Sequence, residues 1–252
     1  MLLDDNFEKA IGEAIGVLMI GPYSTKPKGV LGSQFTFNFP VERIEGTKIQ
    51  DKLEEQQRVF EGDLSLIDDF LDAARELERR GVRLITTNCG FMALYQEDIA
   101  NSVRVPVVTS SLILVPLIYK MIKKEQKIGI LTYTEKYLTE KHFNGVGWSS
   151  RDIPIVIGGV SEIESWNILP QKTKEGDPLW VNEGQMEIYL VDAARKLCEK
   201  DNGIAALVLE CTGFPPYAKS IQKETGLPVF DITSLIAFIY NGICRSEYPI
   251  GY

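Results

Sequence analysis

Two stretches of this chain follow the same plan about 120 residues apart, and each delivers a cysteine to the same place. The first runs Asp72-Ala73-Ala74-Arg75, Leu77, Gly81, apolar residues up to Cys89, then Val105-Pro106-Val107. The second runs Asp192-Ala193-Ala194-Arg195, Leu197, Gly203, apolar residues up to Cys211, then Leu227-Pro228-Val229. The spacing is 120 residues at the tetrad and 122 at the glycine, the cysteine and the proline. Such a repeat predicts two similar units related by a pseudo-twofold, with one thiol from each facing a shared cleft. Two opposed thiols suit a proton taken from one face of a substrate and returned to the other.

The segments between these landmarks alternate between strand and helix patterns. Ala14 to Ile20, Gln34 to Phe39, Val82 to Thr87, Val105 to Thr109, Lys127 to Thr132, Ile153 to Ile157, Ile204 to Leu209 and Leu227 to Asp231 read as strands. Leu64, Ile67, Leu71, Ala74 and Leu77 recur at helical spacing, and Gly81 follows as a stop. Further helices are expected at Ala93–Ser102, Leu112–Lys123, Glu135–Phe143, Asn182–Lys200 and Thr233–Ile243, with an irregular connection from Gly158 to Trp180. Several strands are wholly apolar, which predicts α/β lobes with parallel sheets flanked by helices on both faces. The expected division is 1–111 plus 233–252 for the lobe carrying Cys89 and 112–232 for the lobe carrying Cys211.

Composition narrows the function classes. With 27 Lys and Arg against 35 Asp and Glu, the net charge is −8. No basic cluster offers phosphates a surface, so nucleic acid is not an expected partner. The N-terminal residues lack the basic and apolar regions of a signal peptide, and Leu112 to Ile118 is too short to span a bilayer. The expectation is a cytoplasmic protein with no membrane partner. Four cysteines without a CxxC pair, and a single histidine, predict free thiols and no metal site. For assembly there is only the general tendency of soluble oligomers toward homodimers.

Cys89 and Cys211 each fall where a buried strand ends and a helix is about to begin, the ligand side of open α/β folds. Backbone amides there favour a thiolate and can hold a carboxylate without an arginine. Gly90 and Gly213 would let backbone approach the ligand. Cys198 and Cys244 read as core residues.

These residues carry a resemblance to the aspartate/glutamate racemase superfamily, which includes hydantoin racemase, maleate isomerase and arylmalonate decarboxylase. Leu209-Glu210-Cys211-Thr212-Gly213-Phe214-Pro215 resembles the family's second-cysteine motif, and Thr87-Asn88-Cys89 a variant of its first. Ile128-Gly129-Ile130-Leu131-Thr132-Tyr133-Thr134 is similar to the strand and threonine-rich loop that opens the family's second half.

The resemblance implies a cofactor-independent racemase or isomerase moving the proton alpha to the carboxylate of a small acid. Cys89 and Cys211 would be the catalytic pair. Pro22, Tyr23, Asn88, Gly90, Thr132, Tyr133, Thr134, Thr212 and Gly213 would bind the substrate. Three departures stand against a direct match to glutamate racemase. Cys89 occupies the threonine position of Cys-Asn-Thr, Gly213 replaces a histidine, and Glu210 replaces a glycine. Glu210 is expected as a solvated or helix-facing carboxylate. These departures keep open an arylmalonate-type decarboxylase, a maleate-type cis-trans isomerase, and a binding protein that uses the cleft without chemistry.

Overall fold

A computed structural model of the chain describes residues 15–21, 28–160 and 183–245. Among these residues, eight strands form two parallel sheets of four. In the first, β1 (Ile15–Met19) lies between β2 (Val41–Glu45) and β3 (Leu84–Thr87), and β4 (Val107–Val108) flanks β3. In the second, β5 (Lys127–Thr132) lies between β6 (Ile155–Gly159) and β7 (Ile204–Leu209), and β8 (Val229–Phe230) flanks β7. The two orders are the same pattern displaced by four strands. Cys89 follows β3 and Cys211 follows β7, so the repeat places its cysteines on equivalent strands.

The chain runs outward from β1 to β2 on one side, and continues through β3 on the other. The same reversal occurs around β5. A crevice opens at the carboxyl ends of the strands wherever such a reversal occurs. The four strands at these two points, β1 with β3 and β5 with β7, are those whose following loops hold the predicted site residues.

Helices cover the sheets: α1 (Lys52–Glu61), α2 (Ile67–Arg79), α3 (Gln96–Ser102), α4 (Val115–Tyr119), α5 (Glu140–Gly145), α6 (Glu183–Lys200), α7 (Ala218–Thr225) and α8 (Ile232–Ile243). The duplicated tetrads lie on α2 and α6, where they set equivalent leucines against the sheets. Leu77 of α2 lies over Gly16 of β1, and Leu197 of α6 lies over Gly129 of β5 and Gly158 of β6; both leucines are buried. The larger core cluster draws on both sheets, from Ile15, Leu18 and Ile85 to Ile128, Ile130 and Val208.

Three expectations change. Gln34 to Phe39 is not a strand: Phe37 stacks on Phe39, and Phe39 stacks on Tyr240 of α8 at 3.9 Å. Its apolar alternation serves ring packing, and the edge strand begins one residue after Pro40, at Val41. Helix α1 was not expected, because its sequence is mostly polar. Its start is marked by Asp51, whose carboxylate accepts from the amides of Leu53 and Glu54, and its end by Gly62. Leu112 to Lys123 shortens to a 3-10 turn at Ser111–Leu114 followed by α4. Most of the connection expected from Gly158 to Trp180 lies outside the described residues.

Truncating either matched leucine leaves a cavity under its helix. Leu77→Ala and Leu197→Ala are each expected to lower stability by about 2–5 kcal/mol in urea titrations, while Leu64→Ala, at an exposed position, should leave the midpoint nearly unchanged.

Candidate active site

Each strand end contributes through backbone geometry before any side chain acts. Asn88 follows β3, and its carboxamide closes the end of β1: Oδ1 accepts from the Ile20 amide at 2.6 Å, and Nδ2 donates to the Ile20 carbonyl at 3.0 Å. The Asn88 carbonyl accepts from the Thr212 hydroxyl. The Thr212 carbonyl in turn accepts from the Leu31 amide at 3.2 Å. Asn88 and Thr212 therefore join the two cysteine loops to each other and to the end of β1, and their side chains are committed to that task.

The loops also meet without a hydrogen bond. A Cβ on Gly90 would lie 2.2 Å from Oε1 of Glu210 and 2.3 Å from the Glu210 carbonyl oxygen. Only glycine permits this approach, so Gly90 is required for contact with the opposite cysteine loop. Gly213 behaves differently: a Cβ there would sit 3.7 Å from Sγ of Cys211, an ordinary contact.

The loop after β5 completes the arrangement. The Thr132 hydroxyl donates to Oε2 of Glu210 at 2.7 Å. Tyr133 stands near Cys211; its phenol is pushed above the ordinary tyrosine value first by burial and then by the charge a Cys211 thiolate carries. Cys89 acts in the same way, as a lesser cause, on buried Tyr95. Thr134 is buried where its loop packs on Gly159 at the end of β6. Both cysteines are partly exposed. Phe60 gathers the aromatic wall, with its centroid 4.7 Å from that of Phe91 and 5.6 Å from that of Tyr133. Pro22 and Tyr23 lie outside the described residues. Among the described residues no group of three or more potential ligands could hold a metal ion, and no helix is long and apolar enough to cross a membrane.

No family model matches the chain. By structure it is similar to arylmalonate decarboxylase, with a TM-score of 0.57 and 13% identity, covering 93% of this chain and 94% of that one. It is also similar to a glutamate racemase isoform from Bacillus anthracis, with a TM-score of 0.53 and 14% identity, covering 92% and 83%. The chain has the aspartate/glutamate racemase superfamily fold.

Within that fold, sequence relatives point to a different reaction. A protein named dimethylsulfoniopropionate lyase from Durusdinium sp. clade D is 29% identical over 180 residues, 69% of this chain and 57% of its own length. Dimethylsulfoniopropionate lyases 5 and 7 from Emiliania huxleyi are each 28% identical, over 67% and 68% of this chain and 35% and 50% of theirs. The chain spans from about a third to somewhat over half the length of these curated relatives. The expectation of a racemase or isomerase is overturned by these relatives, which are named as lyases. The racemases share the backbone at far lower identity. Motifs that position two cysteines at strand ends describe the scaffold, and several reactions can be built on one scaffold.

Sequence reasoning misplaced one polar group and gave no place to another. Glu210 is fully buried, not solvated or helix-facing, and burial pushes its carboxyl up to about 7 against a lesser opposing effect of the Thr132 hydrogen bond. His142, on α5, is buried with its ring edge-on to Phe91 at 5.3 Å. Burial lowers its imidazole to about 4. Glu210 stands one residue before a candidate catalytic cysteine, yet nothing in that position announces burial.

The two groups tilt stability in opposite directions. The native state holds the Glu210 proton above the ordinary 4.5, so the unfolded chain loses its proton first and stability falls as pH rises from about 4.5 to 7. Native His142 resists protonation below the ordinary 6.5, so the unfolded chain gains its proton first and stability falls as pH drops from about 6.5 to 4. Glu210→Gln should remove the first loss and His142→Gln the second, each up to about 3 kcal/mol. Urea melts of each variant and the parent at pH 4.5, 6 and 8 measure the change.

Proposed function

We propose that this chain is a carbon–sulfur lyase acting on a small carboxylate with a sulfonium group on its β-carbon, dimethylsulfoniopropionate by the name of its relatives. The observation that carries this reading is that shared lyase name, over about two thirds of the chain. The site chemistry supports it. Elimination begins with the step this scaffold suits, removal of a proton alpha to a carboxylate, and it needs one base instead of two.

In this reading the Cys211 thiolate takes the α-proton. The released electron pair forms the Cα=Cβ double bond as the Cβ–S bond breaks, and sulfur leaves with its pair as neutral dimethyl sulfide. Acrylate remains, and the thiol then returns its proton to solvent. Charge developing on the substrate carboxylate needs donors; the backbone amides after Cys89 open the 3-10 helix Gly90–Tyr95, and those after Cys211 lie in the turn that leads to Pro215. The sulfonium cation suits an aromatic face, and Tyr133, in the aromatic group built on Phe60, stands beside Cys211. Cys89 bounds the site from the other loop.

A general base contributes about 10²–10⁴ in rate. Cys211→Ala is expected to lower kcat for dimethyl sulfide release by that factor, and Cys89→Ala by about tenfold or more. Headspace gas chromatography of the sulfide, with proton NMR of acrylate, measures both. Wild-type turnover in Cys211→Ala would remove Cys211 as the base, and no release by the parent enzyme would sink the lyase reading.

A further inference from the structure

Glu210 is the one strongly perturbed buried acid among the described residues that the elimination leaves unused. Its carboxyl lies where three site-bearing strand ends converge. It sits on the end of β7 immediately before Cys211, it accepts from Thr132 at the end of β5, and its Oε1 presses on Gly90 next to Cys89. Its own amide donates to the Leu131 carbonyl at 2.8 Å, which holds the residue in register with β5. Oε2 has the Thr132 hydroxyl, while Oε1 is buried with no hydrogen-bond partner among the described residues.

An ionised carboxylate in this place would carry an unsolvated charge, which burial without a partner strongly disfavours. It would also stand within two residues, along the chain or across the Gly90 contact, of both thiols. A like charge so placed disfavours a thiolate. The titratable neighbours on the packed elements are Cys89 beyond Gly90, Cys211 on its own loop and Tyr133 beside Thr132. No charged side chain contributes to its shift, which has burial as its main cause and the Thr132 bond opposing it.

We propose that Glu210 is a positioning residue that works as a neutral acid: it fills the junction between the two cysteine loops and the end of β5 while keeping that junction free of negative charge. Loss of the Glu210 proton puts a second negative charge beside the thiols, opposes thiolate formation and delays it to higher pH. Glutamine reproduces the neutral form in shape and hydrogen bonding. Alanine reproduces neither the filled junction nor the Thr132 contact.

The test reads the thiols directly, so it does not depend on the substrate assignment. Iodoacetamide alkylation rates at Cys89 and Cys211 would be followed by peptide mass spectrometry from pH 6 to 10 in the parent and in Glu210→Gln. The parent is expected to show a depressed, two-step rise at one or both thiols. In Glu210→Gln that rise should become a single step with its midpoint lower by about half a pH unit or more. In parallel, the rise of dimethyl sulfide release with pH should move to lower pH in Glu210→Gln, following the thiol.

Superimposable alkylation profiles at both cysteines would overturn the proposal, whatever the turnover assay shows. A shifted alkylation profile with no lyase activity in either protein would support the role of Glu210 while refuting the lyase reading. Thr132→Val covers the case in which Glu210→Gln does not fold. Removing the donor to Oε2 should raise the Glu210 proton affinity and carry the onset of the depression in the alkylation profile to higher pH, and an unmoved onset would overturn the proposal equally.

Discussion

Contact between the two cysteine loops is the constraint on which the rest of this structure depends. Gly90 lies against Glu210 closely enough that no other residue fits, and the Thr212 hydroxyl reaches the Asn88 carbonyl. Because Asn88 also closes the end of β1, and Thr212 also accepts from Leu31, one small group of bonds sets four chain segments relative to one another. The sheets could not separate without exposing a buried carboxyl and several backbone groups at once. Mutual placement of the two thiols is thus a property of backbone packing between the two loops.

That arrangement explains why one scaffold can carry different reactions. Removing a proton alpha to a carboxylate calls for a base at the end of a strand, donors for the carboxylate and few competing charges. Racemisation then needs a second acid on the opposite face. Elimination needs a leaving group on the β-carbon and a surface that tolerates its cation. The two halves here are not chemically equivalent, although they are topologically equivalent. Cys211 has Tyr133 and Glu210 beside it, whereas Cys89 is bordered by Gly90 and the turn that leads into Tyr95. Asymmetry of this kind fits a reaction with one base better than one with two interchangeable bases.

Much of the fold was legible because it depends on short-range pattern. Apolar runs bounded by glycine and proline marked most of the strands, and the duplicated Asp-Ala-Ala-Arg segments marked two helices that hold equivalent leucines over equivalent strands. Two departures from the expected elements have different causes. Phe37 and Phe39 alternate like strand residues but stack on each other, with Phe39 also against Tyr240 about two hundred positions away, and helix α1 has too few apolar residues to show a period. The positions of Cys89, Cys211, Gly213, Thr132 and Tyr133 at or just past strand ends were legible. The structural duties of Asn88, Thr212 and Gly90 were not, since each duty is owed to a partner remote in sequence.

The sequence by itself determined the repeat, the parallel α/β architecture and the delivery of one cysteine to the carboxyl end of each equivalent strand. All of these follow from local periodicity and from copies that must fold alike. Tertiary structure alone decided that Glu210 is buried, that Thr132 holds it, and that Gly90 must be glycine because of a carboxyl and a carbonyl 120 residues later. A charge state depends on what surrounds the group in space, and an adjacent residue in the chain says little about whether that surrounding is water, a hydroxyl or another loop.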